Sequence, residues 1–373
     1  LEKLPLVSNS QFDVVRAQFP ALRNWTYLNT ATFGQLSERA VDAVDRHFTR
    51  RDELACKDFV AWFDDMDHIR GLVAKLIHCQ AQDIAFITNA CAAISQLLGG
   101  MEWHTGDQIV TLEHEFPNQY YYPAQLSRFG VELIETPFER FYDAITPRTR
   151  LVILSMVNYS TGLRAPLIEI GEYLRARNIL FYVDGTQGLG ALQFDCTAVQ
   201  PDMLAVNAYK WLCSPNGAAF MYVSPELRKR LAPSVIGWRS DANWRSVASL
   251  NHGAPDFVEA AEKYEGGMLP FAPLYGMAES ISMMLEIGPA AVEARVLQLV
   301  QQAREMLEAA GGQIAYPNSP ILAAKFPNRS AEAIVETLSQ RRILAAARHG
   351  HLRISPHFYN NEEDLRLVGE ALE

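Results

Sequence analysis

The sequence predicts an α/β fold, with a mostly parallel central sheet in a large domain and a smaller α+β C-terminal domain. Two observations carry this. Five short apolar, β-branched runs recur between helical stretches, as buried parallel strands do. Past about Pro255 the texture changes to longer helices followed by a second set of strand-like runs. The five runs are residues 84–87, 108–112, 151–155, 180–183 and 203–206. Between the third and fourth, residues 166–177 carry Leu167, Ile170 and Leu174 at helical spacing and stop at Asn178, which makes a strand–helix–strand unit. Residues 275–286 and 290–310 read as helices, the second closed by Gly311-Gly312. Strands at 321–326 and 351–355 then flank a helix at 331–340. The expected division is an N-terminal segment, 1–20, packing on the small domain; a large domain, 21–255; and a small domain with its connecting helices, 256–373. Clefts between such domains are common ligand sites.

The composition fits a soluble enzyme. The chain has 373 residues, 49% of them hydrophobic, and 33 Lys and Arg against 43 Asp and Glu give a net charge of −10. Disordered, collagen-like and disulfide-scaffold classes are thereby set aside. The acidic balance argues against a nucleic-acid partner, and no apolar run reaches the ~18 residues that would span a membrane. Five scattered cysteines with no CxxC pair favour a reduced, cytoplasmic setting. The opening stretch, Leu1 to Ser10, lacks the pattern of a secretory signal. His349, His351 and His357 show no metal-ligand spacing and read as polar loop residues, so no metal is expected. Ser160, Thr161 and Ser214 lack a nucleophile elbow.

The densest chemistry lies at two strand ends. Asp184 closes the run at 180–183, and Lys210 follows the run at 203–206 within Asn207-Ala208-Tyr209-Lys210-Trp211. Ligands of open α/β sheets sit at the carboxyl ends of strands. A lysine that forms a Schiff base must be neutral part of the time, which burial or neighbouring positive charge promotes. A carboxylate can keep a pyridinium nitrogen protonated. Taken singly, Asp184 reads equally as a turn cap and Lys210 as a solvated surface residue. Residues 88–94 open an apolar helix whose N-terminus either cradles a phosphate or is an ordinary Thr or Asn cap. Phe116, just past the run at 108–112, stands where a planar ring could stack on it. Arg353 lies on a strand of the small domain and suits a carboxylate held by two parallel hydrogen bonds.

On these stretches the chain resembles the class V aminotransferase family of fold-type I pyridoxal-phosphate (PLP) enzymes, most closely its isopenicillin N epimerase-like branch. The likeness runs from about Tyr27 to Asp364 and is most specific at residues 27–34, 183–188, 207–217 and 352–360. It implies a Schiff base on Lys210, with Asp184 on the pyridinium nitrogen and Gln187 on the phenolic oxygen. Phe116 would stack on the ring, and Asn158 would lie near the phenolic oxygen and the substrate. Backbone around Ala90 and Cys91 would meet the phosphate, with side-chain donors from Asn207 and Tyr209, and Arg353 would bind the substrate carboxylate. The resemblance also implies a homodimer in which Gly267 and Met268 approach the partner's phosphate site. Two departures stand out. Cys91 or Ala92, and Met268, occupy positions where many relatives have threonine, which removes two hydroxyl donors and leaves backbone N–H groups. No cysteine lies in 343–352, where persulfide-forming desulfurases carry their nucleophile.

The expected function is therefore a PLP enzyme acting on an amino acid or small amine, with an aminotransferase as first reading and an epimerase or C–S/β-lyase as alternatives. A nicotinamide enzyme is the competitor from another class, but Gly185, Gly188 and Gly190 do not make the required spacing. A non-catalytic binding protein on the same scaffold is the third reading. Arg239 and Arg245 stand either as a second cation for a dicarboxylic substrate or as surface arginines.

Overall fold

The computed structural model describes residues 9–373, with side chains from residue 11 onward. The five apolar runs are strands of one seven-stranded sheet. Its members are β1 (Ile84–Ile87), β2 (Gln108–Leu112), β3 (Glu132–Thr136), β4 (Thr149–Ser155), β5 (Leu180–Asp184), β6 (Met203–Asn207) and β7 (Ala219–Val223). They lie in the order β1-β7-β6-β5-β4-β2-β3. All are parallel except β7, which runs antiparallel to both β1 and β6. Every residue of β1, β2 and β7 is buried, as expected of strands covered on both faces.

β3 and β7 go beyond the sequence reading. β3 is an edge strand that is exposed or half-exposed over its first four residues, so no apolar run marks it. β7 follows β6 without an intervening helix, so the strand–helix–strand rhythm does not announce it. The helix Leu167–Arg175 between β4 and β5 buries Leu167, Ile170 and Leu174, the three residues its spacing singled out. Register completes the frame. Ser155 pairs with Asp184, and Asp184 with Ala205, which brings the carboxyl ends of β4, β5 and β6 to one level.

Helices Phe271–Ile287 and Pro289–Ala309 meet at Gly288, whose φ of +94° suits glycine. A second, antiparallel sheet follows: β8 (Gln313–Ile314), β9 (Leu322–Lys325), β10 (Ala346–Arg348) and β11 (His351–Ile354), in the order β10-β11-β9-β8. Helix Ala331–Gln340 lies between β9 and β10 and has the bounds its pattern predicts.

A strap from Thr26 to Gly34 ties the two sheets together. Thr26–Tyr27 pairs in parallel with Ile343–Leu344, the Ser355 N–H donates to the Leu28 carbonyl (2.8 Å), and the Gly34 N–H donates to the Tyr209 carbonyl (2.9 Å). Upstream, Arg16 on helix Asn9–Arg16 forms an ion pair of 2.8 Å with Asp364, and the Phe19 ring packs against Phe358 and Tyr359. Residues 1–8, and with them most of the leading stretch read above, lie outside the described residues. Among the described residues no helix is long and apolar enough to cross a membrane.

Candidate active site

The strand ends of β4, β5 and β6 open onto a cavity of about 270 Å³. Asp184, Gln187, Asn207, Tyr209 and Lys210 line it, together with Cys91 from a helix N-terminus and Phe116 from a loop. Residues far apart in the chain thus converge at the place where the parallel-sheet rule puts a ligand.

Lys210 sits in the turn after β6, with its Nζ 5.6 Å from the Phe116 ring centre and 5.8 Å from that of Tyr209. Burial pushes its amine down to about 8; the Asp184 carboxylate pulls the other way, while Arg353 and Arg348 add to the drop. Asp184, the last residue of β5, is 7% exposed and accepts a hydrogen bond from the Thr186 N–H (2.9 Å). A second buried carboxyl lies near it. Glu115 accepts the Ser155 N–H at Oε1 (2.8 Å), while its Oε2 is buried without a partner. Burial, with the Asp184 charge adding to it and hydrogen bonds from Ser155 opposing, raises the Glu115 carboxyl to about 7.

The opposite end of the cavity is rich in donors. Asn89 caps helix Ala90–Gly100 by accepting the Ala92 N–H (3.2 Å), and the Asn207 Oδ1 accepts the Ala90 N–H (2.9 Å). The Cys91 N–H at this helix N-terminus is left for a ligand, as is the NH₂ of Asn207. Thr186 Oγ1 accepts the Asn207 N–H (3.1 Å) and keeps its own hydroxyl hydrogen to give. This neutral and helix-dipole donor set suits a phosphate, and it contains neither of the two threonines that many relatives carry.

Other expected residues stand differently. Asn158 does not line the cavity: its Oδ1 accepts from the N–H and hydroxyl of Ser160 and from the Thr161 N–H, and its NH₂ donates to the His114 carbonyl. Its neighbour Tyr159 takes the place in the wall, with its ring 5.3 Å from that of Phe116 at 88°. Ala90 is buried and does not line the cavity, and its N–H is taken by Asn207. Gln187 accepts from the Trp211 indole (2.9 Å) and donates to the Ala31 carbonyl (3.0 Å), which leaves one amide hydrogen. Arg353, 1% exposed, lies behind Tyr159, donating to its carbonyl (2.8 Å) and to the Thr32 hydroxyl (2.6 Å), while its Nε is buried without a partner. His357 is also buried, bonded to the Trp211 carbonyl (2.8 Å), and burial holds its imidazole down to about 3, so it is neutral scaffold. Gly267 and Met268 are not in this wall.

The dicarboxylate reading of Arg239 and Arg245 is overturned. Arg239 is fully buried and paired with Glu265 and Glu262, and Arg245 is paired with Asp64 and Asp67. The sequence reading missed Tyr159, Thr186, Ser155 and Glu115. Thr186 lay between two chosen residues, and the end of β4 signalled Ser155; nothing local distinguishes a buried Glu115 from its exposed neighbour Glu113.

A depressed amine, a carboxylate, an aromatic face and a donor-lined pocket fit PLP. Comparison with known proteins agrees. The family model for class V aminotransferases matches residues 27–368. The isopenicillin N epimerase of Streptomyces clavuligerus is 29% identical over 331 residues, covering 82% of this chain and 83% of that protein. A probable cysteine desulfurase of Methanothermobacter thermautotrophicus is 24% identical over 392 residues, covering 96% of each. Among solved structures, the cystine C–S lyase C-DES with its product cysteine persulfide superposes with a TM-score of 0.87 at 23% identity, covering 95% of this chain and 99% of that one. Geometry and family match lead to one assignment: the chain belongs to the class V aminotransferases, enzymes that depend on pyridoxal 5′-phosphate.

Proposed function

We propose that the protein is an aminotransferase that uses Lys210 to carry PLP and acts on an amino acid or small amine. The observation that carries this reading is the Lys210 amine, lowered to about 8 and sharing one cavity with Asp184 and Phe116. Bound PLP supplies an electron sink for the charge left when a bond to the substrate Cα breaks.

The chain's own groups do the rest. Lys210, neutral in a substantial fraction near pH 8, would hold the cofactor by its aldehyde carbon, and its amine would be the base for the substrate Cα proton. Asp184 holds a proton on the ring nitrogen by charge. Phe116 covers one ring face, with Tyr159 edge-on beside it. Asn207, Thr186, Tyr209 and the Cys91 N–H anchor the phosphate, and Gln187 gives its spare hydrogen to the phenolic oxygen. Arg353 orients the substrate through its carboxylate. We further propose a homodimer in which each subunit's Gly267 and Met268 approach the other's phosphate.

A persulfide carried on Cys213 is disfavoured. Cys213 is buried, and burial raises its thiol, whereas a sulfur nucleophile needs thiolate character and access. Epimerisation is the second reading, favoured by the likeness to isopenicillin N epimerase.

The test is borohydride reduction of the PLP-loaded protein followed by peptide mass analysis, then incubation with amino acids in D₂O with and without 2-oxo acids. Cofactor trapped on Lys210 and amino transfer to the 2-oxo acid is the expected result. Cα deuteration with inversion and no transfer would make the enzyme an epimerase, and ammonia release a lyase.

A further inference from the structure

We propose that the substrate is an acidic amino acid whose second anionic group is held by Arg348, next to the Arg353 that takes the α-carboxylate. This rests on reading the Lys210 cavity as a PLP site for amino acids.

Register puts the two arginines together. In the β10–β11 pair Ala346 faces Arg353 and Arg348 faces His351. Side chains alternate between faces along a strand, so Arg353 and His351 share one face of β11 and Arg348 joins them across the ladder, diagonal to Arg353. Long side chains at diagonal positions reach one another. Both strands reach the cavity through its wall residue Tyr159: Arg353 donates to the Tyr159 carbonyl, and the His349 ring in the β10–β11 turn bonds the Tyr159 hydroxyl (2.9 Å).

Neither arginine has an anion. Five arginines among the described residues are more than nine-tenths buried: Arg70, Arg228, Arg239, Arg295 and Arg353. Four of them have a carboxylate within 3.1 Å. Arg353 has only neutral partners, in Tyr159, Thr32 and Asn29. Arg348 makes one hydrogen bond, to the Ala347 carbonyl (2.7 Å), and has no ion pair among the described residues. Lys210 feels the charge of both arginines and of Asp184, and Tyr159 and Tyr27 are the other titratable groups that act on Arg353. Burial and the Arg348 charge both push the Arg353 guanidinium down, against the pull of Tyr159 and Tyr27. A ligand with two anionic groups satisfies both guanidinium ions; one with a single carboxylate leaves Arg348 unmatched.

The proposal predicts a binding preference measurable with unreactive ligands. Glutarate and its monoamide are titrated calorimetrically into the PLP-loaded protein, with succinate and its monoamide as a shorter pair. The diacid of at least one pair should bind tenfold or more tighter. In Arg348→Ala that ratio should fall to about two, the statistical value for a symmetric diacid, whereas Arg348→Lys should keep several-fold preference. Ratios near two in the natural protein, or a preference that survives Arg348→Ala, overturn the proposal. Borohydride trapping on the same preparation separates the two readings. Cofactor trapped on Lys210 with ratios near two defeats only the acidic-substrate inference; no trapped cofactor defeats the reading of the site and the substrate class with it.

Discussion

At the scale of single residues, two buried titratable groups, Lys210 in the cavity wall and Glu115 outside that wall but near Asp184, respond to pH in opposite chemical senses. Lys210 must lose its proton to act as nucleophile, so the rate at which cofactor-free protein captures PLP covalently should rise with pH and level off above about 8. Lys210→Ala should show no covalent capture at any pH, as read by borohydride trapping. Glu115 works the other way. Its carboxyl is raised to about 7 from 4.5, so its stabilising contribution is complete below the unfolded value and is lost as pH rises through about 7. Glu115→Gln removes the buried charge. Relative to the natural protein it should gain stability between pH 5 and pH 8, by up to ~3 kcal/mol at one pKa unit per 1.36 kcal/mol, measured by urea unfolding at both pH values. An unchanged difference across that range would show that Glu115 is not protonated in the folded state. The contrast also marks what a sequence can show about a site. Lys210 and Asp184 were legible because strand ends collect ligands, and Arg353 because its strand is short and apolar around it. Glu115 and Tyr159 were not, because their positions depend on how a loop after β2 folds under β4, which no local pattern encodes.

Elements matter here mainly through close backbone approaches. The strap that ends at Gly34 touches the Lys210 turn so closely that a Cβ at position 34 would stand 1.9 Å from the Lys210 carbonyl oxygen. Gly190, with φ of +103°, has the same relation to Trp211: its Cβ would lie 2.4 Å from that carbonyl oxygen. Both contacts are to main chain, which cannot swing aside as a side chain can. Gly34→Ala should therefore displace the Lys210 turn, costing ~1–3 kcal/mol or more as overpacking does, and should weaken PLP retention in dialysis together with the drop in stability. A stability loss with cofactor retention intact would mean that the strap yields instead of the turn. The same scale explains the fold's legibility. Buried strands and the helices beside them announced themselves by apolar runs and 3.6-residue spacing. The half-exposed β3, the helixless step to β7 and the two-residue strand at Thr26–Tyr27 did not, because each is defined by its partner strand more than by its own composition.

At the scale of the whole molecule, a buried ionic cluster fixes the segment proposed to reach a partner subunit. The Glu265 side chain is fully buried and accepts from Arg70 at both carboxylate oxygens (2.9 and 3.0 Å), from Arg239, and from the Phe86 N–H of β1 (2.7 Å). Removing one member of such a cluster strands the others without solvent, at ~3–5 kcal/mol. Next to it Gly237 packs so tightly on Gly266 that a Cβ would lie 2.3 Å from the Gly266 carbonyl oxygen. The rigid base holds an apolar surface: Met268 is 61% exposed, Ile236 57% and Val235 55%. A large apolar group held out into water by a costly polar anchor is the mark of an interface. Met268→Glu leaves the Glu265 cluster untouched and puts a charge where a second subunit would dock. Light scattering should then find a dimer for the natural chain and a monomer for the variant, and the monomer should hold PLP more weakly, because each phosphate loses what the other subunit brings. A dimer that persists in Met268→Glu with undiminished PLP affinity would place the subunit contact elsewhere and leave each cavity complete within its own chain.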